Sequence, residues 1–380
     1  MRACSRSDLE ADAFRSRKYP GSKSLFLVWS VMAASLSLPA DAATFAYVGN
    51  ADSNEVGIFG FDPGSGSMEP AGSAKFAGVD KPGGSTPMSV SPDKRFLFVG
   101  VRSEPFQALT FAIDPKTAGL SQLGSGPLAD SMAYVATDRS GRFLFGASYG
   151  GNKVAVNPIG ADGVVLPPSQ VVPTGPKAHA ILASPDNRFV LATNLGSDEL
   201  LTFKFDPQNG SLTAASALKV ATGAGPRHFR FSPDGRFVYL LGELDGVVRT
   251  LAYNADDGSL RELQQASALP AGFDGKPWGA DIQVTPDGRF LYASERTSST
   301  IAGFAIDPDS GHLTSFGNFA TEKQPRGFNI DPSGRYLAAV GEMSNGMSVY
   351  AIEPSNGTLT KLKSYPMGAK PNWVEFVVLP

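Results

Sequence analysis

The sequence has very little cysteine, histidine and charge. It contains one cysteine, Cys4, and three histidines in 380 residues, so it cannot form an intrachain disulfide, and no metal-binding spacing of cysteine and histidine is present. Charged residues make up 18% of the chain and the formal net charge is −3, which gives no sign of a basic surface for nucleic acid. Stability must therefore come from the burial of apolar surface, and any charge preference must be local.

Long uninterrupted helices are also excluded by the composition. Glycine and proline are abundant, with 42 and 29 copies, and they interrupt the chain too often for helical segments of normal length. Short apolar segments with a period of two lie between these turn residues, as in "HFRF" and "RFVYLL". This pattern predicts an all-β protein.

Residues 1–42 are expected to be a signal peptide with an unusually long basic n-region. Basic residues precede an apolar run at 25–38, and the small-x-small sequence Ala40-Asp41-Ala42 follows it. A membrane-spanning helix needs about 20 apolar residues, so we expect no membrane anchor after cleavage. The mature chain, residues 43–380, is then predicted to be periplasmic or secreted and to lack Cys4.

One motif recurs along the mature chain, for example as "SPDGRFVYLL" from Ser232 and "TPDGRFLYAS" from Thr285. The arginines of six copies, which are 46 to 53 residues apart, are Arg95, Arg142, Arg188, Arg236, Arg289 and Arg335. A seventh copy begins at Thr44 and lacks its first strand. The missing strand is found at the other end of the chain, where "PNWVEF" aligns with "PRHFRF".

Seven four-stranded units, one of them split between the two ends of the chain, predict a seven-bladed β-propeller. The C-terminal strand becomes the innermost strand of the N-terminal blade and closes the ring. A β-solenoid or a pair of sandwiches would need separate end caps and would leave the split unit unexplained. A monomer is expected.

In such a propeller the first strand of each blade lines a central channel, and the second strand runs back beside it. The start of the first strand and the end of the second therefore meet at one mouth of the channel. At the strand starts the equivalent residues are Thr86, Ala133, His179, Arg227, Ala280, Arg326 and Asn372. At the strand ends they are Ala51, Arg102, Tyr149, Leu195, Glu243, Arg296 and Glu342.

Half of these fourteen positions carry Arg, Glu or His, and the four arginines outnumber the two glutamates. This local excess of positive charge favours a small anionic ligand with a carboxylate or phosphate group. The same side chains also suit a solvated mouth in which charges only pair between blades. His228, one position out of phase, is expected to pack between blades, and His312 lies in an outer turn. No spacing predicts a metal or cofactor site.

At these positions the chain resembles the propeller lactonase family, which includes propeller-type 6-phosphogluconolactonases and carboxy-muconate lactonizing enzymes. The resemblance spans the mature chain and is most specific in "PKAHAILASPDNRFV", "GPRHFRFSPDGRFVYLLGEL" and "TPDGRFLYASERTSSTIAGF". It implies a catalytic group of four residues at His179, Arg227, Glu243 and Arg296. The chain departs from the family pattern at Glu295 and Glu342, where two extra carboxylates are expected to alter substrate choice.

The implied reaction is the opening of a sugar-acid lactone by water, without a metal. Either His179 or Glu243 would act as base, and His179 is favoured because an unshifted imidazole titrates near neutral pH. Arg227 and Arg296 would hold the anionic group and the developing oxyanion. The remaining charged or aromatic residues of the mouth, which would bind substrate, are Arg326, Glu342, Arg102 and Tyr149.

Two other functions remain open from the sequence. One is a non-catalytic exported propeller that binds a ligand or a protein at the same mouth. The other is a muconate-type cycloisomerase, which forms a lactone from an unsaturated diacid. Export favours an unphosphorylated aldonolactone as substrate, because phosphorylated gluconolactone is a cytosolic metabolite.

Overall fold

The computed structural model describes residues 42–81 and 83–380, which form seven antiparallel sheets of four strands each. The predicted seven-bladed propeller is confirmed. The expected signal peptide at 1–42 lies outside the described residues except for its last residue. In the described part of the chain, no helix has the length and apolar character needed to cross a membrane.

Each blade is one sheet. Strands are numbered in chain order, and the strands of each blade are given below from the channel outwards. Blade 1 contains β28 (Pro371–Leu379), β1 (Ala43–Asn50), β2 (Glu55–Phe61) and β3 (Met68–Lys75), and a short 3₁₀ turn at Ala51–Ser53 follows β1. Blade 2 contains β4 (Met88–Val90), β5 (Phe96–Val101), β6 (Gln107–Ile113) and β7 (Leu120–Pro127). Blade 3 contains β8 (Met132–Thr137), β9 (Phe143–Ser148), β10 (Lys153–Pro158) and β11 (Gln170–Pro173).

The remaining four blades follow in chain order. Blade 4 contains β12 (Ala178–Ala183), β13 (Phe189–Asn194), β14 (Glu199–Asp206) and β15 (Ser211–Lys219). Blade 5 contains β16 (Pro226–Phe231), β17 (Phe237–Gly242), β18 (Val247–Tyr253) and β19 (Leu260–Ser267). Blade 6 contains β20 (Gly279–Val284), β21 (Phe290–Glu295), β22 (Thr300–Ile306) and β23 (Leu313–Ala320). Blade 7 contains β24 (Pro325–Ile330), β25 (Tyr336–Gly341), β26 (Gly346–Ile352) and β27 (Leu359–Pro366).

The repeated Ser-Pro-Asp-Gly motif forms the turn between the first and second strands of a blade. In blade 5, Ser232 Oγ donates to Asp234 Oδ1 at 2.6 Å and accepts a hydrogen bond from the Phe237 amide at 2.9 Å. Gly235 adopts φ +73°, a left-handed conformation that glycine accepts without strain. The motif therefore returns the chain directly from the channel-lining strand to the strand beside it.

The ring closes through the two ends of the chain. β28 pairs with β1 along its whole length, from Ala43 opposite Leu379 to Asn50 opposite Pro371. The apolar core is divided into layers between neighbouring blades, where the inward faces of the second and third strands are fully buried. Each blade therefore buries its apolar face against its neighbours, as in other architectures built from repeated units.

The first strands surround the channel, and an aromatic layer fills it part of the way down. The rings of Tyr134, His228 and Trp373 come from blades 3, 5 and 1, and they contact one another at centroid distances of 5.1 to 6.2 Å. His228 therefore faces the channel, and the expectation that it packs between blades is wrong. The pairing of β16 with β17 contains a bulge between Pro226 and Phe229, which places both Arg227 and His228 toward the axis.

Candidate active site

The centre of the channel mouth is a carboxylate held by two arginines. Arg227 is the second residue of β16, while Glu243 and Arg296 follow directly after β17 and β21. Arg227 Nε and Arg296 Nη2 donate to the same atom, Glu243 Oε2, at 2.9 and 2.8 Å. The side chains of the two arginines are only 2% and 5% exposed. Glu243 is 16 positions from Arg227 and 53 from Arg296, and the three residues form one buried charged unit across blades 5 and 6.

The two arginines are also fixed by backbone groups of blade 6. Arg227 Nη1 donates to the Ala280 carbonyl, and Arg296 donates to the carbonyls of Trp278 and Gly279 at 3.2 and 2.9 Å. The guanidinium of Arg296 lies over the Trp278 ring, 4.0 Å from its centroid. Their donor atoms are therefore held in place before any ligand binds, which lowers the cost of ordering them on binding.

A second charged pair lies at the mouth in blade 7. Arg326 Nη1 donates to Glu342 Oε1 at 3.0 Å and to the Gly84 carbonyl at 3.4 Å. In the neighbouring part of the ring, Arg102 donates to the hydroxyls of Ser85 and Ser131 at 2.8 and 3.2 Å and forms no ion pair among the described residues. Among the described residues, the hydrogen-bond partners of the Arg102 guanidinium are thus all neutral.

His179 lies between the aromatic layer and Tyr149. Its ring contacts Tyr149 edge-on at a centroid distance of 5.9 Å and His228 at 5.1 Å. The residue is 5% exposed, and its Nδ1 atom is buried without a hydrogen-bond partner among the described residues. It therefore adjoins both the mouth and the layer below it.

The mouth carries uncompensated positive charge. Burial together with the neighbouring Arg326 and Arg227 lowers the pKa of Arg102 to about 10, and burial together with Arg227 lowers that of Arg296 to about 9. The Arg102 and Arg296 guanidinium groups therefore stay charged at neutral pH. Repulsion among the cations of the mouth is relieved when an anion binds between them. The site therefore has the electrostatic character of an anion-binding pocket.

The same charges act on His179. Burial, followed by the fields of Arg227, His228, Arg326 and Arg102, holds the pKa of His179 well below its usual range. The expectation of an unshifted imidazole is therefore wrong, because both desolvation and nearby cations disfavour the protonated ring. His179 is neutral at neutral pH and has a lone pair available to accept a proton.

All eight residues selected from the sequence lie at this mouth, seven of them in three groups. The first is Arg227, Glu243 and Arg296, the second is Arg326 and Glu342, and the third is Tyr149 and His179. The eighth residue, Arg102, lies close enough to Arg326 and Arg227 for their charges to contribute to its lowered pKa. The described residues hold no group of three or more His, Cys, Asp or Glu side chains arranged to bind a metal ion.

One of the two extra carboxylates does not face the substrate side. Glu295 is fully buried, and its oxygens accept hydrogen bonds from the backbone amides of Trp278 and Ser298 at 2.7 and 2.5 Å. It fixes the loop before β20, so of these two extra carboxylates only Glu342 adds a negative charge to the mouth. The expectation that both carboxylates alter the site is therefore wrong for Glu295.

The loop before β20 lines part of a pocket, and its residues are not among the equivalent mouth positions that the sequence identifies. A cavity of about 220 Å³ adjoins Glu243, with Trp278 and Lys276 on its wall. Trp278 is 37% exposed, so the tryptophan ring that covers Arg296 also borders solvent. An aromatic ring, a cation and a carboxylate around one small cavity suit the hydroxyl-bearing carbon chain of a sugar acid.

The fold and this basic mouth define a class of protein. The family model "Lactonase, 7-bladed beta-propeller" matches residues 43–376, and the chain belongs to that family. The resemblance expected from the sequence is confirmed.

Individual relatives share both sequence and fold. The chain is 41% identical over 303 residues to a 6-phosphogluconolactonase of Pectobacterium carotovorum, covering 79% of this chain and 90% of the relative. It is 38% identical over 331 residues to a 6-phosphogluconolactonase of Yersinia pestis, covering 86% and 96%. Among solved structures, a periplasmic gluconolactonase of Pseudomonas aeruginosa is 31% identical with a TM-score of 0.81, covering 89% of this chain and all of that one.

Proposed function

We propose that this protein hydrolyses a sugar-acid lactone at the channel mouth. The observation that carries the proposal is the buried Arg227–Glu243–Arg296 unit beside a neutral His179 in a member of the propeller lactonase family. Relatives about 40% identical are 6-phosphogluconolactonases, and a structural neighbour is a gluconolactonase. Hydrolysis is favoured over lactone formation, because these relatives act in the hydrolytic direction.

The proposed chemistry uses water as nucleophile. His179 accepts the proton of the attacking water, and the arginines stabilise the negative charge that develops on the carbonyl oxygen of the lactone. Glu243 Oε2 already accepts two charge-assisted hydrogen bonds, so its proposed role is to hold Arg227 and Arg296 in position. Arg326, Glu342, Arg102 and Tyr149 are proposed to bind the rest of the substrate.

The proposed substrate is an unphosphorylated aldonolactone. Two observations support it: the predicted signal peptide at 1–42, and a structural neighbour described as periplasmic. We accordingly propose a periplasmic or secreted location. The mature chain would bind its substrate as a monomer at one propeller mouth.

A panel of lactones tests the proposal. Residues 43–380 are assayed with gluconolactone, 6-phosphogluconolactone and a muconolactone, and acid release is followed with a pH-indicator dye after subtraction of spontaneous hydrolysis. We expect turnover of the sugar-acid lactones that is lost in His179→Ala and Glu243→Gln. Turnover of the muconolactone alone would indicate a cycloisomerase, and the absence of any turnover with tight capture of a protein partner would indicate a binding module.

A further inference from the structure

A buried carboxylate–imidazole pair lies directly behind His179. His228 Nδ1 is 2.9 Å from Asp281 Oδ1, and the two residues come from neighbouring channel strands, β16 and β20. Both are nearly inaccessible, with 3% and 7% exposure. The hydrolytic scheme above uses neither residue. Burying two ionisable groups costs free energy even when they are paired, and such groups beside a reactive site are therefore candidates for a functional role.

The groups around Asp281 bear on whether its carboxyl group is ionised and on which nitrogen of His228 carries the proton. Oδ1 also accepts a hydrogen bond from the Ile282 amide at 2.9 Å, and Oδ2 accepts one from the Phe328 amide at 3.4 Å. The guanidinium of Arg230 lies 3.8 Å from Oδ1. Burial raises the pKa of Asp281, and the charge of Arg230 and the two amide donors act against that rise. We assign the proton of the pair to Nδ1 of His228, facing an ionised Asp281, which leaves a lone pair on Nε2.

Two nitrogen atoms in this region lack partners. His228 Nε2 and His179 Nδ1 are both buried, and neither makes a hydrogen bond among the described residues. The two imidazole rings meet at a centroid distance of 5.1 Å and an interplanar angle of 65°. This separation is short enough for a small ring rotation to bring a nitrogen of one ring within hydrogen-bond distance of a nitrogen of the other. His179 Nε2 is then the nitrogen left to serve the mouth.

We propose that Asp281 and His228 are positioning residues that orient His179 and accept its proton during lactone hydrolysis. The inference rests on the proposed function of the mouth. Water adds to the lactone carbonyl carbon and gives one proton to His179 Nε2, while the Nδ1 proton of His179 passes to His228 Nε2. His228 becomes an imidazolium held by the Asp281 carboxylate. When the ring C–O bond breaks, the proton returns by the same route to the departing alkoxide oxygen.

The surrounding charges make this transfer temporary. Burial and the charges of Arg227, Arg230, Arg326 and Arg296 disfavour a positive charge on His228. Burial and the charges of Arg227, Arg326 and Arg102 likewise disfavour one on His179. Asp281 is the carboxylate paired with His228, and Glu375, whose pKa burial raises to about 7, lies near Asp281. A proton held on either ring is therefore readily given back to the leaving oxygen, which the second half of the reaction requires.

Substitutions in the pair test the proposal, with the third histidine as a matched control. His228→Gln and Asp281→Asn are made in residues 43–380 alongside His312→Gln, which lies in an exposed outer turn. We expect kcat to fall about 10²-fold in the first two variants, with KM within about twofold of wild type, and no change in the third. Thermal unfolding of each variant is measured in parallel to show that the protein is folded at the assay temperature.

A proton inventory distinguishes proton transfer from a purely structural role. In mixtures of light and heavy water, the wild-type kcat is expected to give a curved plot because two protons move, and His228→Gln is expected to give a straight line. A folded His228→Gln variant with wild-type kcat and the same curvature would overturn the inference and leave the proposed function intact. Absence of lactone turnover by the wild type would instead refute the proposed function.

Discussion

Arg227 and Glu243 are joined by a 2.9 Å ion pair although 16 residues separate them in the sequence. The pair connects the start of the innermost strand of blade 5 to the end of the strand beside it, and Arg296 of blade 6 completes it. Neighbouring blades are thus linked by charge at the mouth as well as by apolar packing below it. The geometry of the site depends on correct closure between blades 5 and 6.

Glu243→Gln is expected to reduce both activity and stability. An amide supplies one acceptor but no negative charge, so two buried guanidinium groups lose their counter-ion, which costs roughly 3 kcal/mol. We expect kcat/KM to fall at least about 10²-fold and the denaturant midpoint to decrease. Glu262→Gln is the matched control, since Glu262 lies on β19, the outermost strand of blade 5, 3.7 Å from the buried Arg249. Equal loss of activity in both variants would contradict a specific role for Glu243.

Arg326→Ala is expected to weaken substrate binding more than catalysis. Arg326 pairs with Glu342 in blade 7 and makes no hydrogen bond to the Arg227–Glu243–Arg296 unit, although its charge acts on both arginines of that unit. We expect KM to rise about tenfold and kcat to change less, and the KM of wild type to rise with salt because exposed charges are screened. Steady-state kinetics at low and high ionic strength measure both effects. A fall in kcat alone would place Arg326 at the reacting atoms instead.

The pH dependence follows from the lowered pKa of His179. A general base is active when deprotonated, and burial with nearby arginines keeps this ring deprotonated below its usual pKa of about 6.5. The profile of kcat/KM is therefore expected to stay flat as pH falls through 6.5 and to decline only at lower pH. An acid limb at or above pH 6.5 in wild type would show that a different group is titrating.

Glu375 is expected to make stability depend on pH. Burial raises the pKa of this carboxyl to about 7, above its unfolded value of 4.5. The native state therefore binds the proton more tightly than the unfolded chain between these values, and stability falls as pH rises through this range. Glu375→Gln should raise Tm at pH 8 but not at pH 4.5. A variant with an unchanged difference in Tm between the two pH values would contradict the shift.

The fold and the ring of mouth residues could be predicted because the sequence repeats them. Seven aligned copies give seven equivalent positions, and the split first copy requires closure by the C-terminal strand. His228 could not be placed this way, since a bulge between Pro226 and Phe229 alters the simple alternation of side chains. Polar residues within the innermost strands, such as Asp281, are the feature of the sequence that could have indicated functional groups inside the channel.

Two further features depend on three-dimensional detail that a repeat cannot supply. Glu295 and Arg296 are adjacent in sequence, yet the chain leaves the strand between them, so one side chain binds backbone amides and the other reaches the mouth. Trp278 lies in the loop between blades 5 and 6. The sequence marks that loop only by its long spacing, 53 residues between Arg236 and Arg289, and a longer loop does not reveal where its side chains will lie.

The most direct test of the account is the kcat/KM of residues 43–380 for gluconolactone, measured beside the Arg227→Gln and Arg249→Gln variants. Both arginines are buried and paired with carboxylates, but Arg249 lies on β18, the third strand of blade 5, and makes no hydrogen bond to Glu243. The account predicts measurable turnover by wild type, a loss of at least about 10²-fold in Arg227→Gln, and near wild-type turnover in whatever fraction of Arg249→Gln is folded. Turnover that survives in Arg227→Gln, or is missing from wild type with every sugar-acid lactone, would contradict it.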